Sequence, residues 1–105
     1  MISFGRPGMG FEWDPVKAEK NAKDHGVTFE QAATVFLDAH LLSQADDEHG
    51  EDEERWVSLG LDKSARLLVV CHTYRQIAQQ SATIRIFSAR KTTRRETKEY
   101  EKRKP

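Results

Sequence analysis

The run Leu67-Leu68-Val69-Val70-Cys71 is apolar at every position. A strand with one face in water alternates apolar with polar residues, so an unbroken run of this length predicts a central strand covered on both faces. A chain of 105 residues has room for one such core and one compact domain. The core is thin: 37% of the residues are hydrophobic and 32% are charged. A single cysteine, Cys71, rules out an internal disulfide framework and fits a reducing, cytoplasmic compartment. No apolar run approaches the roughly 20 residues that span a bilayer, and residues 1–10 lack the apolar segment of a secretory signal, so no membrane contact is expected.

Charge is divided along the chain. Residues 1–54 hold thirteen acidic and four basic residues, a net −9, while residues 55–105 hold the reverse, a net +9. A division of this kind points to a polyanionic partner or to halves that neutralise each other in one fold. Seven of the nine residues from Asp46 to Glu54 are acidic, which predicts a solvated turn.

Local signals place the elements around the central strand. Residues 1–10, with three glycines and a proline, read as a flexible leader, and the domain is expected over 11–105. Phe11-Glu12-Trp13 is a short extended piece. Asp14-Pro15 then starts a helix, because Asp accepts from free N–H groups and Pro at the first position has none to leave unpaired. That helix runs through Lys17 to His25 and stops at Gly26. Thr28 with Gln31 is a capping-box pair opening a second helix, whose Phe29, Ala32, Ala33, Val35 and Phe36 recur at helical spacing. Strands are expected over Leu41–Ala45, Trp56–Leu61, Arg66–Tyr74 and Thr83–Ser88, with Gln76–Gln80 as a connecting loop. A last helix begins near Thr93 and runs from Arg94 to about Arg103. The expected fold is α+β: two N-terminal helices, a three- or four-stranded antiparallel sheet and a C-terminal helix, all helices on one face.

Metal chemistry is poorly supported. His25, His40, His49 and His72 show no close pairing, and one cysteine cannot complete a structural zinc site. No serine lies in a nucleophile-elbow pattern, and Cys71 sits in the most apolar strand. Metal-free RNA cleavage needs a base for the 2′-hydroxyl, an acid for the leaving oxygen and cations for the transition-state charge. His25, Lys17, Arg55, His72, Arg85, Arg90, Lys91, Glu96 and Tyr100 are groups of the required types. Each also has a plain structural role open to it: His25 as a helix-end cation, Tyr100 as packing, Trp13 and Phe87 as core.

Three stretches together carry a family resemblance. The first is Phe11-Glu12-Trp13-Asp14-Pro15 with Lys17, Asn21, His25-Gly26, Val27-Thr28-Phe29, Ala32-Ala33, Val35-Phe36 and Asp38. The second is Glu54-Arg55, Gly60, Leu67-Leu68-Val69-Val70 and His72-Thr73. The third is Ile84-Arg85-Ile86-Phe87-Ser88-Ala89-Arg90-Lys91 with Glu96 and Tyr100. In this order the chain resembles the BrnT family of type II toxins, over about residues 11–102. The resemblance implies a RelE-like ribonuclease fold, metal-independent RNA cleavage that halts translation, and no cofactor. It also implies a cognate antitoxin, a ribbon-helix-helix protein similar to BrnA, through which the complex meets DNA. By resemblance the catalytic candidates are Lys17, His25, Arg55, Arg90, Glu96 and Tyr100. Arg90 and Lys17 are expected on the phosphate, with His25 or Glu96 moving the proton. Arg85, Lys91, Arg94, Arg95 and Lys98 gather in the basic half, and the first four are candidates for RNA binding. The competing function is a catalytically silent homologue that keeps antitoxin binding and operon regulation.

The acidic turn should be dispensable for folding. Deleting Asp47 to Glu53 is expected to leave far-ultraviolet circular dichroism and cooperative thermal unfolding intact, and loss of the cooperative transition would refute this.

Overall fold

A computed structural model describes residues 2–6, 9–46 and 55–103. The acidic turn beyond Asp46 lies outside the described residues. Among the described residues seven strands and three helices follow one another as β1 (Ile2–Arg6), β2 (Met9–Trp13), α1 (Pro15–His25), α2 (Phe29–Ala33), a 3-10 turn (Thr34–Leu37), β3 (Leu42–Ala45), β4 (Arg55–Leu61), β5 (Leu67–Thr73), β6 (Arg75–Ala78), β7 (Ser81–Lys91) and α3 (Arg94–Arg103).

The helix signals act as the sequence predicts. Asp14 Oδ1 accepts from Val16 N at 2.9 Å with Pro15 in the first position, and Gly26 closes α1 at φ 68°, a left-handed conformation that costs glycine little. Thr28 and Gln31 form the reciprocal capping box. The second helix is shorter than expected, tightening after Ala33 into the 3-10 turn.

The strands run β1-β2-β7-β5-β4-β3 across the sheet, and β6 pairs with β7 besides. This corrects the expected three- or four-stranded antiparallel meander in three ways. The first ten residues contribute a strand and part of a second, paired as a hairpin from Ile2↔Trp13 to Arg6↔Met9, instead of an unpaired leader. β2 lies parallel to β7, from Met9↔Ala82 to Glu12↔Arg85, so the sheet is mixed. The expected loop over Gln76–Gln80 is largely β6, paired with β7 and with Arg75, Gln76 and Ala78 exposed.

β5 holds the centre, between β4 and β7. Its Leu68 and Val70 join Phe11, Trp13, Ile84, Ile86 and Ala89 beneath Val27, Phe29, Ala32, Ala33 and Val35. Trp13 is 1% exposed and is core, as expected. The helices are not all on one face: Val69 points the other way, toward a corner where α3 stands over Val57, Leu59 and Val69. A polar chain, buried at Ser58 and His72, fixes β3 and β4 against β5. His72 Nδ1 meets the Thr73 carbonyl at 3.0 Å, Ser58 Oγ meets His72 Nε2 at 2.6 Å, and Ser43 Oγ meets Ser58 Oγ at 2.7 Å. Burial lowers the His72 pKa, favouring the neutral ring that donates from Nδ1 and accepts at Nε2. The protons therefore run Ser43 to Ser58 to His72.

Asn21 joins α1 to the sheet. β2 ends at Trp13, but β7 continues to Lys91, leaving its edge beyond Ile86 without a strand. The buried Asn21 side chain occupies that edge: its Nδ2 donates to Ala89 O at 2.8 Å and to Val27 O at 2.9 Å, and its Oδ1 accepts from Ala89 N at 3.1 Å. Asn21→Ala removes these partners from buried backbone groups and is expected to cost about 3 kcal/mol. Chemical unfolding measures this, and a loss well under 1 kcal/mol would show that water or a neighbour replaces the amide.

Candidate functional site

The site begins with a slip in register. β5 and β7 pair Cys71↔Ser88 and then His72↔Ile86, so β7 carries one extra residue, Phe87, opposite no partner. A bulge of this kind bends the strand and re-aims the extra side chain. Three cations surround the half-buried Phe87 ring. The Arg55 guanidinium carbon lies 4.6 Å from its centroid, Lys17 Nζ 5.6 Å and the Arg85 guanidinium carbon 5.8 Å. The ring's electron-rich face attracts each of them.

Each cation is brought by a different element. Asn21 at Ala89 sets α1 alongside β7, and Lys17, one helical turn earlier, falls beside Phe87, two residues earlier on the strand. Arg55 opens β4 opposite Thr73 of β5. Arg85 belongs to β7 itself, opposite Glu12 of β2. Among the described residues no carboxylate is in ion-pair contact with any of the three. Three like charges held together by an aromatic face, with no anion supplied by the described residues, form a seat for an external anion.

The other catalytic candidates lie elsewhere. Arg90 and Glu96 face each other in a two-pronged pair, Nη1 to Oε1 at 2.8 Å and Nη2 to Oε2 at 2.9 Å. Glu96 also caps α3, accepting from Thr93 N at 2.8 Å. The Arg90 fork, with help from Thr93 and against burial, holds Glu96 down at about 2, which makes it a poor proton acceptor. The same pairing raises the Arg90 pKa. Arg90 stands three residues beyond Phe87, roughly 10 Å along the strand.

Tyr100 is buried, and its hydroxyl donates to Asp38 Oδ2 at 2.5 Å. Burial, then Asp38, pushes Tyr100 up to about 12. Asp38 accepts in addition from Leu61 N at 2.8 Å and His40 N at 2.9 Å, and these bonds outweigh burial to lower its pKa. Tyr100 thus ties α3 to the end of β4. His25 is exposed at the last position of α1, about 12 Å along the helix from Lys17. Lys91, Arg94 and Arg95 are exposed at the end of β7 and the start of α3.

The structure therefore brings together Lys17, Arg55 and Arg85, pairs Arg90 with Glu96, leaves His25 at the far end of α1, and ties Tyr100, one turn beyond Glu96, to Asp38. Sequence reasoning assigned Phe87 to the core and missed its place at the centre of the cluster. The signal was present in the spacing of buried β7 residues: Ile84 and Ile86 are two apart, whereas Ala89 comes three later.

The Arg90–Glu96 pair gives a pH dependence. Glu96 has its folded pKa depressed to about 2 from an ordinary 4.5, so its contribution is complete above 4.5 and is lost as pH falls toward 2. Chemical unfolding should show wild type weakening over that interval and Glu96→Gln weakening less. Parallel curves for the two proteins would contradict the pairing.

A family model described as "Ribonuclease toxin, BrnT, of type II toxin-antitoxin system" matches residues 13–96. The fold is similar to the crystal structure of the Brucella abortus ribonuclease toxin BrnT, with a TM-score of 0.53 over 80% of this chain and 96% of that one, at 14% identity. No curated protein matches by sequence. The family match spans the Phe87 cluster, the Arg90–Glu96 pair and the core beneath them, and the chain belongs to the BrnT family of ribonuclease toxins of type II toxin–antitoxin systems.

Proposed function

We propose that this chain is an endoribonuclease that inhibits translation in the cytoplasm and is neutralised by a cognate antitoxin. We further propose that the Phe87 cluster is where it grips RNA. The observation that carries this is the convergence of Lys17, Arg55 and Arg85 on one ring, with no carboxylate of the described residues in ion-pair contact with them. In cleavage by 2′-hydroxyl attack, the 2′-hydroxyl gives its proton to solvent water, its oxygen bonds to the adjacent phosphorus, the bond from phosphorus to the 5′-oxygen breaks, and a 2′,3′-cyclic phosphate remains. Negative charge accumulates on the phosphorus oxygens, and pre-placed cations stabilise it without reorganising. The arginines suit those oxygens by their planar forks. Lys17 is given the leaving oxygen, because among the three it alone has a proton it can release.

Lys91, Arg94 and Arg95 continue the basic surface past the end of β7, where a longer RNA would extend. Arg90, its fork occupied and its charge neutralised by Glu96, adds little to that surface. The whole surface makes affinity salt-dependent. The antitoxin, ribbon-helix-helix in type by the same family reasoning, would supply the DNA contact.

The purified chain should cleave RNA in EDTA, leaving cyclic phosphate ends. Lys17→Ala and Arg55→Ala should each lower the rate about 100-fold while circular dichroism stays native. In a bacterial host, expression should arrest growth, and the neighbouring small open reading frame should relieve the arrest. Equal cleavage by wild type and both variants, or a folded wild type that never cleaves, would remove the assignment.

A further inference from the structure

The edge of the sheet at β3 carries features that RNA cleavage does not use. Order across the sheet ends at this strand, and among the described residues nothing pairs with its outer side. Leu42-Ser43-Gln44-Ala45 contains no charge and no proline, the usual devices that keep an edge from pairing. The hydrogen-bond phase is fixed by Asp46 N, which donates to Arg55 O at 2.7 Å. Antiparallel pairs alternate between bonded and unbonded, so Leu42↔Leu59 and Gln44↔Val57 bond to β4, while the N–H and C=O groups of Ser43 and Ala45 point outward.

The side chains of β3 lead into a groove of about 780 Å³ between this corner of the sheet and α3. Its floor is Leu42, Val57, Leu59 and Val69, the half-covered face opposite the main core. Its far wall is α3, where Arg95, Glu99 and Arg103 are exposed at four-residue spacing. Glu96 is taken by Arg90, and among the described residues neither Arg95 nor Arg103 is in an ion pair.

We infer that β3 and this groove receive the protein partner of the toxin, which adds an extended segment to the outer edge of β3. The inference rests on the toxin reading above for the existence of that partner. The segment bonds to Ser43 and Ala45 through its backbone and continues the apolar row of Leu42 and Leu59 with alternate side chains. A carboxylate on it answers Arg95 or Arg103 on α3, which carries five basic against three acidic residues. A nucleic acid would leave the apolar floor unused, so the surface fits a polypeptide.

The test uses the full chain and the protein encoded beside its gene. In the complex, hydrogen exchange at the Ser43 and Ala45 amides should slow at least tenfold. Ala45→Pro removes one outward N–H and none of the β3–β4 bonds, and edge strands accept proline. It should weaken binding at least tenfold while circular dichroism and RNA cleavage stay at wild-type levels. Arg103→Glu should weaken binding as well, and it keeps the question decidable if Ala45→Pro fails to fold. Binding that leaves β3 exchange and Ala45→Pro affinity unchanged overturns the docking site and leaves the ribonuclease reading intact. No binding by wild type overturns both the partner and the site, whereas inert RNA with intact docking overturns only the ribonuclease. Dimerisation of the chain alone, abolished by Ala45→Pro, would assign the edge to a second copy and overturn the inference.

Discussion

A carboxamide standing in for a strand holds the working parts of this molecule together. The Asn21 side chain offers one donor and one acceptor to Ala89, as a neighbouring strand would, and gives its second hydrogen to Val27 O. An aspartate at that position would lose both donors, and an aliphatic residue would offer nothing to three buried backbone groups. The bond sets the height of α1 along β7, and that height decides which residue of the helix stands beside Phe87. Lys17 owes its place to a side chain one turn away.

The division of charge has a structural counterpart. Eight of the thirteen basic residues of the second half lie along β7 and α3, from Arg85 through Arg103. Some are neutralised locally: Arg90 by Glu96, and Arg66 by the buried Asp62, whose carboxylate also accepts from Ser64 N and Arg66 N. The cations at Phe87 are handled differently. They lie against a ring, whose quadrupole attracts them without cancelling their charge. An aromatic can therefore gather cations and leave them available, which a carboxylate cannot.

Much of the architecture was legible because local signals and burial agreed. Asp14-Pro15, Gly26 and the Thr28–Gln31 box gave the helix ends, and the apolar run at Leu67 gave the centre of the sheet. The failures share a cause. The glycines and proline around β1 and the exposed Arg75, Gln76 and Ala78 of β6 read locally as loop, and the parallel contact of β2 with β7 joins segments some seventy residues apart, about which local sequence is silent. At the site, Lys17 and Arg55 were named through family resemblance, and Arg85 was expected on RNA. That these three share one ring depends on a one-residue slip between two strands, which no charge pattern reveals. Glu96 shows the converse: its type suited a base, and its bonds to Arg90 and Thr93 removed the basicity.

The slip at Phe87 also changes the parity of β7. In an unbroken strand, residues an odd number apart point to opposite faces, so Arg85 and Arg90 would stand on different sides of the sheet. Ile84 and Ile86 lie in the core, and so does Ala89, because the extra residue restarts the alternation between them. Arg85 and Arg90 consequently emerge on the same side, opposite the main core. A strand paired without the slip would have to bury one of these arginines or expose Ala89. The bulge lets a single strand serve the core along its whole length and still present both arginines on one surface, one gathered at Phe87 and the other bound to Glu96.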